Sequence, residues 1–353
     1  MKHDKENIGV KEIARRANVS IATVDRVIHN RTGVSDKTRN KINAIIQELD
    51  YQPNILASRL ASKKTIHLAM LIPSASDETQ FWEAPLRGIR RAESEIRQYG
   101  IHIDMYFFDL NDKESFRKQA RAILDQKVNG VLLSPTFVEE TVEFIKSCNQ
   151  QSIPYVFIDS TIPQQNNLSY IGPHLFQSGY LSAQLLTYGL KGPSHKLLIV
   201  NISKEVDNFN YPQIEAGFRS FFQDQGDSKA IIRIDIRQTG YASVREELSK
   251  ALQQHPDVDA LFVTNSRVSS VARFLASQSL HDKLLIGYDY LPDNIEYLKS
   301  GTIDFLICHK PEEQGYRGVM ALYQTLVFSS SVEKEYFMPI DIVTRGNYEF
   351  YRN

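Results

Sequence analysis

Residues 19–30 are the stretch whose residue types and spacing most clearly indicate a chemical role. Val24, Val27 and Ile28 recur at the spacing of one buried face of a short helix. Ser20 lies where the N-cap of that helix is expected. If a second helix supports this one, its first residues could contact base edges in the major groove of DNA.

The element that must support this helix comes directly before it. An amphipathic segment places on one face the residues Val10, Ile13, Ala14 and Ala17. Asn18 then begins a three-residue connection, and asparagine tolerates the left-handed conformation that a sharp turn needs. Two short helices joined in this way form a helix-turn-helix. On this pattern alone, a purely structural helical hairpin is an equal alternative.

The following forty residues make the pattern more specific. Residues 36–50 predict a third helix, capped by Ser35 or Asp36, with apolar positions at Ile42, Ile45, Ile46 and Leu49. Residues 51–61 then read YQPNILASRLA. This succession resembles the LacI/GalR family of bacterial transcription regulators. The matching residues are Ile13-Ala14, Ala17, Val19-Ser20, Thr23-Val24, Arg26-Val27, Val34-Ser35, Thr38-Arg39, Leu49, Tyr51, Pro53-Asn54, Ala57 and Leu60.

The resemblance implies roles for the exposed residues of the second helix. Ile21 and Ala22 take its first positions, where apolar side chains could touch a thymine methyl group. Arg26 takes a later position that could bond guanine, with a phosphate contact as the alternative. The side chains expected to contact phosphates are Ser20, Thr23, Arg31, Lys37, Arg39 and Asn54. The implied partner is a pseudo-palindromic double-stranded DNA operator.

Asp25 departs from the family pattern, which usually has serine at this position near a phosphate. A carboxylate there would repel the DNA backbone. Asp25 could instead accept a hydrogen bond from a cytosine amino group, or turn aside and pair with a neighbouring basic group. The departure bears on the preferred operator sequence more than on DNA binding itself.

Residues 54–61 resemble the hinge helix of the same family. By that resemblance Ala57 and Leu60 face the minor groove, and Leu60 matches a leucine that is wedged between base pairs at the operator centre. A helix this short is marginal alone in water, so its folding would depend on the body behind it. An inert linker is the alternative. We expect a DNA-binding head over residues 8–52 and a hinge over residues 53–65.

Length and composition favour a soluble protein of two or three domains. Of the 353 residues, 42% are hydrophobic and 24% are charged, which is ordinary for a globular protein. Cys148 and Cys308 lie far apart, so neither a disulfide framework nor a zinc site is expected and a cytoplasmic location fits. The N-terminus lacks the apolar core of a signal peptide. No apolar run approaches the ~20 residues needed to span a membrane.

The net charge of −1 conceals a division along the chain. Residues 1–64 carry thirteen Lys and Arg against seven Asp and Glu, whereas the rest carries 28 against 35. A basic head on an acidic body is typical of a phosphate-binding module joined to a domain of another kind.

From Ile66 onward predicted strands alternate with predicted helices, which favours an α/β fold with mostly parallel sheets and helices on both faces. Strands are expected at residues 66–72, 102–108, 128–133, 155–158, 169–171, 197–201, 231–236, 260–264 and 284–288. Helices are expected at residues 86–99, 114–126, 138–150, 177–188, 213–223, 242–253 and 268–277. Two successive α/β halves imply two lobes and a cleft, with ligands bound beyond the carboxyl ends of the strands.

Residues 66–353 resemble the type I periplasmic binding protein fold, in the sugar-binding branch used by LacI/GalR effector domains. The matching residues include Phe81-Trp82, Ile158-Asp159, Ile171-Gly172, Gly179, Gly217-Phe218, Gly287-Tyr288-Asp289 and residues 311–315. The resemblance implies three crossings between the lobes, expected near residues 159–164, 289–292 and 328–333. The N-lobe would then hold residues 66–160 and 291–328, and the C-lobe residues 164–289 and 333–353.

The candidate effector-binding residues follow predicted strands. Phe81 and Trp82 lie in the first strand-to-helix loop, where related domains stack aromatic rings on a sugar. Partners for sugar hydroxyls are expected from Asp159, His174, Asn265, Asp289 and His309. The alternatives are a core or rim position for Trp82, helix caps for the acids and the amide, and structural roles for the histidines.

Three departures from the sugar-binding branch bear on the kind of effector. Ile214 and Ser160 each replace a frequent arginine, and Ser266 replaces a frequent aspartate. Without the arginine pair the pocket favours a neutral sugar or polyol, unless Arg267 supplies charge for a sugar phosphate. A nucleobase is the further alternative.

Motifs of enzymes are absent from the sequence. It contains no G-x-x-x-x-G-K-[ST], no G-x-S-x-G, no H-E-x-x-H and no G-x-G-x-x-G after a strand. Nine scattered histidines show no metal-ligand spacing. We therefore expect no enzyme, cofactor or metal, but a ligand-controlled repressor. A homodimer is the simpler expectation for its assembly, since no leucine heptads follow the last predicted strand. A stand-alone sugar carrier is disfavoured by the basic head and by the missing export signal.

Overall fold

The computed structural model describes residues 9–28, 31–51, 65–76, 80–190, 196–204, 210–226 and 230–353. The predicted hinge, with Asn54, Ala57 and Leu60, lies outside these residues. Contacts within the chain divide it into two compact units, which meet in sequence between Lys64 and Thr65.

The first unit contains three helices, α1 (Val10–Ala17), α2 (Ile21–Ile28) and α3 (Asp36–Glu48). The apolar stripes that predicted these helices form one core, made by Ile13, Ala14, Ala17, Val24, Val27, Ile42 and Ile45. Ser35 caps α3, because its side chain accepts a hydrogen bond from the Thr38 N–H. The third helix ends two residues before the predicted position, at Glu48 rather than residue 50.

The first lobe of the second unit is built on a sheet of six parallel strands. The strands are β1 (Ile66–Pro73), β2 (Ile101–Phe108), β3 (Gly130–Leu133), β4 (Tyr155–Ile158), β5 (Ser169–Gly172) and β11 (Glu335–Phe337), in the spatial order β11-β5-β4-β3-β1-β2. The helices of this lobe are α4 (Glu83–Ile96), α5 (Lys113–Leu124), α6 (Val138–Gln150) and α12 (Pro311–Phe328), with a 3-10 turn at Arg97–Tyr99. Helices α5 and α6 share one core with β1, β3 and β4.

The second lobe contains a similar sheet. Its strands are β6 (Lys196–Ile202), β7 (Ala230–Ile236), β8 (Val258–Val263), β9 (Leu284–Tyr288), β10 (Phe305–Cys308) and β12 (Asp341–Val343), in the order β12-β10-β9-β8-β6-β7. Only β12 is antiparallel to its neighbour. The helices are α7 (Leu175–Gly189), α8 (Asn210–Asp224), α9 (Tyr241–Gln254), α10 (Val268–Ser277) and α11 (Pro292–Ser300), with a 3-10 turn at Tyr348–Phe350. The predicted fold class, two α/β lobes with mostly parallel sheets, is confirmed.

The crossings between the lobes differ from the predicted ones. Because β5 pairs with β4, the first crossing follows Gly172 instead of lying in residues 159–164. Because β10 pairs with β9, the second lies at residues 309–310 rather than 289–292. Because β11 pairs with β5, the third lies between β11 and β12 rather than at 328–333. Strands of three or four residues carry little sequence pattern, so only their hydrogen-bonded neighbours decide the lobe to which they belong.

Two helix pairs approach so closely that glycine is required at the contact. A Cβ atom on Gly88 of α4 would lie 1.8 Å from the Glu312 carbonyl oxygen at the start of α12. In the other lobe, a Cβ atom on Gly217 of α8 would lie 1.8 Å from the Phe176 carbonyl oxygen of α7. Each lobe therefore contains a helix crossing at which a side chain would collide with backbone.

Candidate DNA-binding face and effector cleft

The turn between α1 and α2 has the geometry that its sequence predicts. Asn18 adopts the left-handed conformation, with φ 54° and ψ 50°. The Val19 N–H donates to the Ala14 carbonyl over 3.0 Å, and the Lys41 ammonium donates to the Ala17 carbonyl over 2.8 Å. These bonds satisfy carbonyl groups that the end of α1 would otherwise leave unpaired.

Helix α2 presents the predicted base-contacting side chains on its exposed face. Ile21 is 50% exposed, although it is a large apolar residue. Ala22 and Arg26 are also exposed, whereas Val24 and Val27 on the opposite side are buried. A Cβ atom on Gly33 would lie 3.0 Å from Arg26 Nη1, so the guanidinium passes directly over the turn before α3.

The predicted phosphate-contacting residues within the described part of the chain lie at the start of α2, in the loop that follows it and in the first turn of α3. Ser20 caps α2, since its Oγ accepts the Thr23 N–H over 3.2 Å and contacts the Thr23 hydroxyl over 2.9 Å. Arg39 donates to the Arg31 carbonyl over 2.8 Å, and Lys37 is exposed. Their contacts with DNA remain predictions, as does the role of Asn54, which lies outside the described residues.

Asp25 forms an ion pair with Arg31, whose Nη1 lies 3.2 Å from the carboxylate. Of the two ways proposed for avoiding repulsion of the DNA backbone, the side chain therefore adopts the one that pairs it with a basic group. The pairing also offsets part of the positive charge that Arg31 would offer to a phosphate.

We expect Asp25→Ser to raise affinity for DNA several-fold at low salt, because Arg31 would then be free to contact a phosphate. One added phosphate contact should steepen the dependence of log affinity on log salt concentration by roughly 1. Titrations of labelled DNA at several salt concentrations measure both quantities. Glu48→Gln makes the same charge change at the end of α3 and serves as the control. Equal salt dependence in Asp25→Ser and wild type would show that Asp25 is a bystander.

A cleft between the two lobes lies beyond the carboxyl ends of their strands. It encloses a cavity of about 150 Å³. Six of the seven predicted effector-binding residues line it, namely Phe81, Trp82, Asp159, Asn265, Asp289 and His309. Parallel strands end at the same edge of a sheet, which is why residues distant in sequence meet here.

His174 is the predicted effector residue that is not among the lining residues. Its Nδ1 accepts the Gln177 N–H over 3.3 Å, so it caps α7. Its ring lies 4.7 Å from the ring of Phe337, between centroids. His174 therefore has a structural role, which the sequence analysis gave as the alternative to effector binding. It lies at the first crossing between the lobes.

The aromatic residues form a fixed apolar wall. Trp82 is only 5% exposed and lies at the N-terminus of α4. Phe81 meets it edge to face, with ring centroids 5.1 Å apart. This pair provides the kind of surface on which the C–H face of a sugar can rest.

Asp159 and Asp289 occupy equivalent places in the two lobes, one after β4 and the other after β9. Both have left-handed backbone conformations, with φ 67° and 76°. The Asp159 N–H donates to Gln314 Oε1 over 3.0 Å, and the Asp289 N–H donates to the Ile307 carbonyl over 2.9 Å. Burial raises the pKa of Asp159 to about 7, and burial together with the charge of Asp159 holds the pKa of Asp289 well above its usual range.

Asn265 connects elements of the C-lobe as well as lining the cleft. Its amide nitrogen donates to the Ile202 carbonyl over 2.9 Å and lies 3.3 Å from the Tyr211 hydroxyl. Its Oδ1 accepts the Arg267 N–H over 3.1 Å, and the Arg267 guanidinium donates to the same Ile202 carbonyl. Both side chains hold the end of β6 against the loop after β8.

Gln314 is a lining residue that the strand-end pattern missed. Gln314 lies in the first turn of α12 and is 1% exposed. Its Nε2 donates to the His309 carbonyl over 2.9 Å. It therefore ties the second crossing to Asp159 of the N-lobe. The resemblance in residues 311–315 was the one sequence signal that marked it.

Two further findings concern the described residues as a whole. They contain no group of three or more His, Cys, Asp and Glu side chains that could hold a metal ion. None of the helices they form is long and apolar enough to cross a membrane.

Family comparisons agree with both units. Residues 68–329 match the family model described as periplasmic binding protein domain, and residues 9–54 match the one described as bacterial regulatory proteins, lacI family. A solved structure from Bacteroides fragilis, assigned to the LacI transcriptional regulators, has a TM-score of 0.76 at 29% identity. The alignment covers 82% of this chain and all of that one.

Two relatives show how far the sequence similarity extends. Catabolite control protein A of Staphylococcus aureus is 35% identical over 150 residues, which is 42% of this chain and 43% of that protein. The alignment thus spans less than half the length of that relative. The HTH-type transcriptional regulator MalR of Streptococcus pneumoniae is 24% identical over 292 residues, 80% of this chain and 83% of MalR. The chain therefore belongs to the family described as periplasmic binding protein domain over residues 68–329, and it carries before that domain a helix-turn-helix that matches bacterial regulatory proteins of the lacI family.

Proposed function

We propose that the protein is a cytoplasmic transcription regulator, a repressor that binds an operator and responds to a small carbohydrate or polyol. The observation that carries the proposal is the presence in one chain of an exposed recognition helix and a lined interlobe cleft. A stand-alone carrier has no use for the first, and no observation favours catalysis over binding.

The DNA-binding part of the proposal rests on the exposed face of α2. Ile21, Ala22 and Arg26 would contact bases, and the surrounding hydroxyl and basic side chains would contact phosphates. One head offers few such contacts. A homodimer that places two heads on a pseudo-palindromic operator would raise the affinity by linking two binding events.

The effector part of the proposal rests on the lining of the cleft. Trp82 and Phe81 offer an apolar wall, while carboxyl, amide and imidazole groups offer partners for hydroxyls. Ser160 and Ile214, which replace frequent arginines of the family, both line the cavity. Arg267 and Lys204 line the cavity as well, but the Arg267 guanidinium donates to the Ile202 carbonyl, so we expect the site to disfavour a strongly anionic sugar phosphate.

Effector and operator would be coupled through the hinge. Closing of the lobes on a ligand would shift the hinge segments and bias their folding on DNA. Such coupling typically amounts to about 1–3 kcal/mol and is reciprocal, so each ligand changes the affinity for the other by the same factor.

Thermal denaturation of the full chain tests this function with a panel of sugars, polyols, sugar phosphates and purines. A true effector at a hundredfold excess over its Kd should add about 2.7 kcal/mol to the stability and raise the melting temperature. The same compound should change the affinity for an operator selected from random DNA. A hit only among phosphates or purines would overturn the carbohydrate assignment. Failure to select any DNA sequence would contradict the regulator itself.

A further inference from the structure

We infer that the effector is an amino sugar, whose ammonium group is recognised by the carboxylates of Asp159 and Asp289 together with the imidazole of His309. The inference rests on the proposed function and deepens it. It replaces the neutral sugar favoured by the sequence with a hydroxylated ligand that carries a positive charge.

The two carboxylates reach one cavity from opposite lobes. Asp159 follows the last residue of β4 and Asp289 the last residue of β9, and both line the cavity. Their N–H groups are bonded to the Ile171 and Ile307 carbonyls, at the ends of neighbouring strands. Because the backbone is held at both places, the carboxylates cannot move far from each other without opening the cleft.

Within the described part of the chain, no basic side chain forms an ion pair with either of these carboxyl groups. Arg267 and Lys204 line the same cavity, but among the described residues neither forms an ion pair with Asp159 or Asp289. The Arg267 guanidinium instead donates to the Ile202 carbonyl over 3.1 Å. Two carboxylates that share a cavity repel each other, and burial adds a desolvation cost. A hydroxyl group cannot neutralise this charge, whereas an ammonium group can.

His309 provides an independent indication of a ligand at this place. Its side chain is 6% exposed and lines the cavity, yet its Nε2 has no hydrogen-bond partner in the described part of the chain. Buried polar atoms are mostly paired, so this one, which lies at the cavity, is available to pair with a ligand atom. Burial lowers the pKa of His309 to about 3, so the imidazole stays neutral and can accept a hydrogen bond from an ammonium N–H.

Calorimetry on the full chain compares three probe series at pH 7. These are glucosamine, galactosamine and mannosamine, then the parent neutral sugars, and then the N-acetylated sugars, which keep the nitrogen but lose its charge. We expect at least one amino sugar to bind about tenfold more tightly than its parent neutral sugar and its N-acetylated form. The reason is that charge-assisted hydrogen bonds are roughly twice as strong as neutral ones.

Asparagine variants test which groups recognise the charge. Asp289→Asn and Asp159→Asn should each lower the ratio of amino-sugar affinity to parent-sugar affinity by about tenfold, even if binding of the parent sugar also weakens. Asp293→Asn is the matched control, because this exposed carboxylate lies on α11, four residues from Asp289, and is not among the lining residues. It should retain the full preference.

The affinity for the amino sugar should rise as the pH increases from 5.5 to 7. Burial raises the pKa of Asp159 to about 7, so this carboxyl group ionises in part over this range, and a bound ammonium group favours the ionised form of both carboxyl groups. Among the described residues, the other titratable and charged groups near the pair include Tyr170, Tyr288, Cys308, Tyr351, Arg267 and Lys204. Burial raises the pKa of the four acidic ones above their usual values, so they do not titrate in this range, and neither does neutral His309.

The ligand-free protein offers a second test. Folding raises the pKa of the Asp159 carboxyl group from about 4 to about 7. The free energy of unfolding therefore falls as the pH rises above about 4, and the decrease is complete above about pH 7. The melting temperature of Asp159→Asn should therefore rise relative to wild type between pH 4.5 and 7.5. A variant that becomes less stable than wild type at pH 7.5 would show that protein groups already compensate the charge.

The outcomes separate this inference from the function on which it rests. Parent sugars that bind as tightly as their amino derivatives would overturn the inference, and a sugar-responsive operator complex would still support the regulator. If none of the three series binds, the amino-sugar assignment fails, whether or not the operator is bound. Loss of operator binding by the wild-type chain would instead count against the proposed function.

Discussion

Arg26→Ala is expected to reduce the binding free energy of the proposed dimer for its operator by about 2–6 kcal/mol. A bidentate contact to guanine contributes about 1–3 kcal/mol at each of the two half-sites. Arg26 is exposed on α2, and its guanidinium passes over the turn at Gly33. Equilibrium titration of a labelled operator at fixed salt concentration measures the loss. The wild-type protein should bind an operator whose contacted guanine has been replaced more weakly than the original operator. Arg26→Ala should bind the two operators with equal affinity.

Arg26→Lys distinguishes base recognition from the alternative phosphate contact. Lysine keeps the charge but not the planar pair of donors, so it should restore little affinity if Arg26 bonds guanine. Arg16→Ala is the control, because Arg16 pairs with Glu12 and Glu48 at exposed positions, and such pairs contribute only about 0–1 kcal/mol. Arg26 would instead contact a phosphate if Arg26→Lys kept full affinity for the operator and Arg26→Ala lost the same affinity on every DNA sequence.

Gly217→Ala is expected to destabilise the C-lobe by about 3 kcal/mol, the upper part of the range for overpacked cores. The added methyl group would lie 1.8 Å from the Phe176 carbonyl oxygen and 3.0 Å from the Tyr180 nitrogen. Both atoms belong to the backbone of α7, so the two helices must separate and the core of Phe218 and its neighbours must loosen. Urea unfolding followed by circular dichroism measures the change.

Gly346→Ala is the matched control for this substitution. Gly346 is exposed, and an added Cβ atom would lie 3.6 Å from the Thr344 hydroxyl, which is an ordinary contact. The free energy of unfolding should change by less than about 0.5 kcal/mol. If Gly217→Ala were equally harmless, the close approach of α7 and α8 would not be a fixed feature of the lobe.

Several features could be predicted from the sequence because they are local. Apolar spacing predicted α1 at its observed bounds and α2 with its start after Ser20, and Asn18 predicted the left-handed turn between them. Continuous apolar runs predicted the longer strands, and the residues after them predicted most of the cleft lining. These inferences succeed because periodicity and strand ends are properties of neighbouring residues.

Other features were decided only by contacts between distant parts of the chain. The lobe to which β5, β10 and β11 belong depends on which strand each one pairs with. His174 became a cap beside Phe337, and Asp25 became a partner of Arg31, although neither contact is marked in the local sequence. The sequence by itself determined the helix-turn-helix, the α/β alternation and the residue types of the cleft. Tertiary structure decided the crossings and brought Asp159 and Asp289 to one cavity, where no described basic side chain forms an ion pair with them. Strand pairing and electrostatic environment depend on distances in space and not on spacing along the chain.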